Sequence, residues 1–197
     1  GMLHLDRFEA DATTTDVAEF LEFWQVTSSE FALDEHIAAY GLFNEAVNLD
    51  APEPGSRDDW VAWKADVESA IDVIRANDPD TAVLVGGLHW TYDLTHAAAL
   101  PIARENVAYD AHIYPFTPDF KSWEEAVGEP SKTLPVFVGE WGWDVTGLYD
   151  EKAFGAPGEY GPAIVEFLDA HNFSWTSWVF SANWDPRMLA DWDYNMT

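Results

Sequence analysis

The chain has 197 residues, 48% of them apolar, enough for one sizeable core or one domain with long loops. It carries 36 acids against 9 bases, a formal charge of -27, which argues against nucleic acid and against anionic membrane surfaces as partners. It has no cysteine, so disulfides and thiolate metal sites are excluded.

In chain order, the segment MLHLD at 2–6 allows a first strand. Apolar residues at Val17, Phe20, Leu21 and Trp24 predict a helix from Thr15 to about Phe31. AAYGLFNE, 38–45, reads as a short buried strand, followed by a loop rich in proline and glycine. Ser56 with Asp59 three residues later resembles a capping box, opening a helix with Trp60, Trp63, Val67, Ile71 and Ile74 on one face. Trp60 and Trp63 are therefore assigned to packing. AVLVGG, 82–87, is the clearest strand, and a helix is predicted from Tyr92 to Arg104. NVAYDAHIY, 106–114, is the next strand, with a short helix at 119–128. LPVFVGE, 134–140, a helix around Tyr160–Leu168 and SWTSWVFS, 174–181, complete the series.

These strands are nearly continuous apolar runs, the pattern of a parallel sheet buried on both faces. No linker divides the chain, so residues 1–197 are read as a single domain. No apolar run approaches a membrane span, and no signal peptide is visible, which leaves the compartment open between cytoplasm and exterior. Acidity spread along the whole chain, with only four lysines, suggests the solvated surface of a halophile.

Polar residues collect where the strands end: Asn44-Glu45, His112 and Tyr114, Glu140, and Trp178 with Trp184. In parallel β/α architectures the loops after the C-terminal ends of the strands build the site. Two glutamates at two strand ends suit glycoside hydrolysis, which needs one carboxylic acid to protonate the leaving oxygen and one carboxylate to attack or to activate water. Asn44 suits a sugar 2-hydroxyl, His112 and Tyr114 suit positioning of a nucleophile, and Trp178 and Trp184 suit stacking on pyranose rings. His89-Trp90 stays open between the cleft and a loop, and Trp141 and Trp143 between a sugar platform and packing. His36, His96 and His171 read as helix or loop residues. Asp191 and Asp193 lack the spacing of a calcium loop and read as a solvated acidic tail.

LFNEA (42–46), NVAYDAHIYPF (106–116), PVFVGEWG (135–142) and SWTSWVFSANWDP (174–186) resemble, in order, the strand-4, strand-6, strand-7 and strand-8 motifs of glycoside hydrolase family 5, in its cellulase branch. DPDTAVLVGGLHWTYDL (78–94) resembles the strand-5 segment. The resemblance implies a TIM-type (β/α)8 architecture and a retaining hydrolase acting on a β-linked glucan, with no cofactor and no metal. It implies Glu45 as acid/base and Glu140 as nucleophile, with Asn44, His112, Tyr114 and Trp178 around the reacting sugar. The stretch before Ala38 is too short for the three strands that precede the Asn-Glu strand in that family, and the family's strand-2 arginine has no counterpart. The expected fold is therefore an incomplete (β/α)8-type barrel of about five to six parallel strands, lacking the first two to three β/α units. A homo-oligomer is expected to cover the open edge. The alternative expectations are a catalytically impaired carbohydrate-binding relative and one half of a split enzyme.

Overall fold

The computed structural model describes residues 17–47, 55–142, 158–184 and 186–196. Among these, five parallel strands form one sheet in chain order: β1 (Ala39–Gly41), β2 (Ala82–Gly86), β3 (Val107–Ile113), β4 (Val136–Trp141) and β5 (Ser174–Trp175). The sheet is a curled half-barrel, the incomplete (β/α)-barrel the sequence predicts. MLHLD, with its potential sixth strand, lies outside the described residues.

Helix α1 (Val17–Phe31) buries Phe20, Trp24 and Ser28, a stripe with a spacing of four residues. The Trp24 indole donates to the Leu42 carbonyl at 3.3 Å, tying α1 to the end of β1. Helix α2 (Arg57–Asn77) begins at the predicted capping box, in which Ser56 and Asp59 satisfy each other's backbone donors. Its buried face carries Trp60, Val67, Ala70, Ile71 and Ile74. Trp60 is fully buried and donates to the Leu100 carbonyl at 2.8 Å, and Trp63 packs against Phe20 and Phe43, so both tryptophans belong to the core.

Two expected elements are shorter than predicted. The helix expected at 92–104 is only α3 (Thr95–Ala99). Pro101 disfavours helical backbone at Leu100, and Leu88 and Asp93 exchange two backbone hydrogen bonds that close a separate turn. The strand expected at 174–181 pairs only at Ser174 and Trp175. Beyond them, Val179 and Ser181 bond instead to Pro186, Met188 and Leu189, which turn the chain back. The segment at 119–128 is a 3-10 turn at Thr117–Asp119 followed by a π turn at Glu124–Gly128. Helix α4 (Tyr160–His171) places Tyr160, Gly161, Ile164 and Leu168 in the core. His36 lies in an exposed turn, His96 in α3 and His171 at the end of α4.

The pairing of β3 with β4 shifts register between two pairs, Asp110 opposite Phe137 and His112 opposite Glu140. Strand β4 thus spends one more residue than β3 over this span, a bulge. Gly139 sits in it, where an added Cβ would lie 2.4 Å from an Asp110 carboxylate oxygen. That oxygen accepts the Gly139 N–H at 2.8 Å. The bulge brings His112 level with Glu140.

Candidate active site

The site is built at the C-terminal ends of β1, β3 and β4. Leu42 and Phe43 are buried, and the Leu42 N–H donates to the Leu84 carbonyl at 3.1 Å. Ala46 and Val47 are buried as well. The chain is therefore held on both sides of Asn44-Glu45, and the glutamate leaves the sheet in a bend with φ of 49°. Its side chain keeps 25% exposure at the rim.

Glu45 Oε1 lies 3.0 Å from His112 Nδ1, and Glu140 Oε2 lies 3.5 Å from the same nitrogen. Tyr114 donates its hydroxyl to Glu140 Oε2 at 2.7 Å. Asp110 Oδ2 stands 3.6 Å from His112 Nε2, behind the ring. One imidazole thus touches both glutamates while a third carboxylate holds its far side. Ligand-type atoms of Glu45, His112 and Glu140 all fall within 4.8 Å of one another, so these three residues are also where a divalent cation could be held.

Burial alone would depress the His112 pKa, but Asp110, Glu45 and Glu140 outweigh it and raise it to about 10. This direction favours the protonated ring, whose Nδ1 faces Glu45 and Glu140 and whose Nε2 faces Asp110. Glu140 is held above the usual carboxylate range, chiefly by burial, with Glu45 and Asp110 adding to the rise; His112 and the Tyr114 hydroxyl oppose it. Burial, then the Glu140 charge, pushes the Tyr114 phenol up, so it stays a donor.

A cavity of about 630 Å³ opens from Glu45, His112 and Tyr114. His89, Trp90, Tyr92, Phe116, Thr117 and Phe120 complete its lining. His89 stacks on Phe120 with ring centroids 3.6 Å apart, and Tyr114 stacks on Phe116 at 5.7 Å. The cleft placement of His89-Trp90 is thereby decided. Phe116 and Phe120 escaped the sequence reading, because aromatic residues just past a strand look the same whether they face a cleft or a core.

The other expected residues do not line this cavity. Asn44 lines a separate small hollow with Gly86 and Asp110. Trp178 and Trp184 pair with each other at 6.0 Å beyond β4 and β5, and Trp184 is 60% exposed. Trp141 is buried, edge-on to Trp175 at 5.0 Å, so it packs, while Trp143 lies outside the described residues. The Asp191 carboxylate accepts from the Asp193 and Asn195 backbone and from the Asn195 amide, a local turn.

A family model described as cellulase (glycosyl hydrolase family 5) matches residues 4–184. The chain belongs to glycosyl hydrolase family 5. Among curated relatives, it is 30% identical to endoglucanase A of Evansella cellulosilytica over 153 residues, covering 74% of this chain and 29% of that protein. With an endoglucanase of Clostridium saccharobutylicum the identity is 29% over 147 residues, 71% of this chain and 31% of that protein. Among solved structures it resembles the β-glucanase SdGluc5_26A of Saccharophagus degradans, with a TM-score of 0.79 and 32% identity over 96% of this chain and 59% of that one. The chain thus spans about three fifths of that solved structure and under a third of these curated relatives. Membership accounts for the half-barrel as part of the family 5 fold.

Proposed function

We propose that this chain carries the catalytic pair of a retaining β-glucan hydrolase, with Glu140 as nucleophile and Glu45 as acid/base. The observation that carries the reading is that an oxygen of each carboxylate and a nitrogen of His112 all lie within 4.8 Å of one another, an approach that fits the roughly 5–5.5 Å between carboxyl groups that retention uses. Glu140 attacks the anomeric carbon as the glycosidic C–O bond breaks, and Glu45 gives its proton to the departing oxygen. Glu45 then takes a proton from water, whose oxygen displaces Glu140 from the anomeric carbon. Tyr114 and His112 both face Glu140 Oε2, which leaves Oε1 for the attack. The aromatic cavity suits the apolar C–H faces of glucose rings, as Trp178 and Trp184 do further along. Asn44 would reach a 2-hydroxyl only from its own hollow beside Gly86.

A panel of aryl β-cellobiosides and cellooligosaccharides in molar salt tests the reading. Wild-type protein is expected to turn over with retention at the anomeric centre, seen by proton NMR, and Glu140→Gln to lose turnover by at least about a thousandfold. Activity surviving in Glu140→Gln would reject the assignment. The competing reading, an impaired relative that binds glucan, is favoured by the raised pKa of Glu140, since a nucleophile must be ionised. Binding without turnover in the wild type would establish it.

The sheet ends at β1 and β5 with no further strand beside either among the described residues. Phe180, Trp184, Trp192, Tyr194 and Met196 are each more than half exposed beyond β5. Uncovered strand edges and apolar surface invite a second copy of the chain. Sedimentation in molar salt is expected to show a dimer or larger, and a compact monomer would reject this.

A further inference from the structure

We propose that Thr91 is a positioning residue that sets the aim of Glu45 and joins it to the aromatic wall of the cavity. This rests on the reading of Glu45 as acid/base. The Glu45 N–H donates to Thr91 Oγ1 at 3.0 Å. Thr91 is 1% exposed. The bond fixes the peptide plane from which the Glu45 side chain reaches His112 at 3.0 Å.

The seat of Thr91 is unusual. His89, Trp90 and Thr91 have φ of 56°, 57° and 58°, three consecutive non-glycine residues in the left-handed region, and Glu45 itself has φ of 49°. Such backbone persists only where its surroundings over-determine it, and it concentrates at functional sites. Here the turn is closed by two hydrogen bonds between Leu88 and Asp93, at 3.0 and 2.8 Å. Under it lies Gly86 at the end of β2. A Cβ at that position would stand 2.6 Å from Thr91 Oγ1 and 3.1 Å from Cγ2, so the absence of a side chain lets the hydroxyl sit where it does. The same turn presents His89 and Trp90 to the cavity. One strained turn therefore carries the wall that meets the ligand and the acceptor that holds the backbone of Glu45.

The test compares Thr91→Val, which keeps shape and removes the acceptor, with Thr91→Ser, which keeps the hydroxyl. Gly86→Ala is the independent variant, since it displaces Thr91 without changing it. Each is assayed on aryl β-cellobiosides with a good leaving group (2,4-dinitrophenyl) and a poor one (phenyl). A misaimed general acid penalises only the poor leaving group. Thr91→Val and Gly86→Ala are expected to lose kcat/KM on the phenyl substrate about 10- to 100-fold, part of the usual worth of general acid catalysis. On the dinitrophenyl substrate they should lose less than about threefold, and Thr91→Ser should stay within about threefold of wild type on both. Equal losses on both substrates would mark a merely structural residue and overturn the proposal, as would no loss. Glu45→Gln run alongside separates the failures: without leaving-group dependence in that variant, the acid/base reading itself falls. A readout that needs no turnover is amide hydrogen exchange at Glu45, expected to speed up at least about tenfold in Thr91→Val and not in Thr91→Ser. Unchanged exchange would reject the link to Thr91 even in an inactive protein. If Thr91→Val does not fold, Thr91→Ala removes the same acceptor and is held to the same outcomes.

Discussion

At the scale of single residues, His112 decides how the glutamates behave. It is 2% exposed, surrounded by Asp110, Glu45 and Glu140, and these acids favour its protonated form. That positive charge draws the Glu140 pKa down against the burial that raises it. If Glu140 is the nucleophile, the acidic limb of kcat/KM against pH reports its ionisation. In His112→Asn the favourable charge is gone, Glu140 rises further, and the acidic limb should move to higher pH. Tyr114→Phe removes the 2.7 Å hydrogen bond to Oε2 and should shift the limb the same way by a smaller amount. A limb that stays in place in both variants would show that Glu140 is not the group titrating. The types of these residues, and their places at strand ends, are visible in the sequence; the charge state of His112 is not, because it depends on three acids from three separate segments.

At the scale of elements, the bulge in β4 matters most. Glu140 faces His112 because β4 spends an extra residue at Gly139, where the Asp110 carboxylate comes in close. Gly139→Ala forces a Cβ against that carboxylate and should destabilise the fold by about 1–3 kcal/mol while lowering turnover. Denaturant unfolding beside activity checks this, and an unperturbed protein would show that Asp110 simply moves aside. Helix α2 tests the opposite case, an element legible from its sequence. Its capping box and apolar stripe appear where Ser56, Asp59 and the Trp60–Ile74 face predict them. Ser56→Ala should cost about 1 kcal/mol by the same unfolding measurement, with no change in activity. The elements misjudged in extent, at 92–104 and 174–181, fail for one reason: their backbone groups bond to a nearby turn or returning segment rather than continuing a helix or strand. Such competition leaves little trace in residue periodicity.

At the scale of the whole molecule, charge and protonation set the working range. With a net charge of -27 the folded chain repels itself, and salt screens that repulsion. The thermal midpoint should rise steadily as sodium chloride goes from about 0.1 to about 2 M, where the Debye length falls from about 10 Å to below 3 Å; a flat response would count against the halophile reading. The pH dependence has a definite sign. His112 has a folded pKa raised from 6.5 to about 10, so its contribution is fully present below 6.5 and is lost as pH rises toward 10. Glu140, also raised, binds its proton more tightly in the folded state than in the unfolded one, so its ionisation acts in the same direction above 4.5. Stability to denaturant should fall between pH 7 and 10, and fall less in His112→Asn.

Sequence alone determined the class of fold, because apolar runs separated by helical stripes leave few arrangements other than a parallel sheet flanked by helices. It also singled out Glu45, His112, Tyr114 and Glu140, since polar residues ending buried strands have few structural uses. Tertiary structure decided what those residues amount to together. It set His112 between the two carboxylates through a one-residue bulge, and it drew His89, Trp90, Phe116 and Phe120 into one cavity. It also placed Asn44 in another hollow and paired Trp178 with Trp184 beyond β4 and β5. The physical reason is one of range. Local sequence governs which residues can end a strand or cap a helix, whereas distances between side chains from β1, β3 and β4 follow from register and curvature, which the sheet settles as a unit.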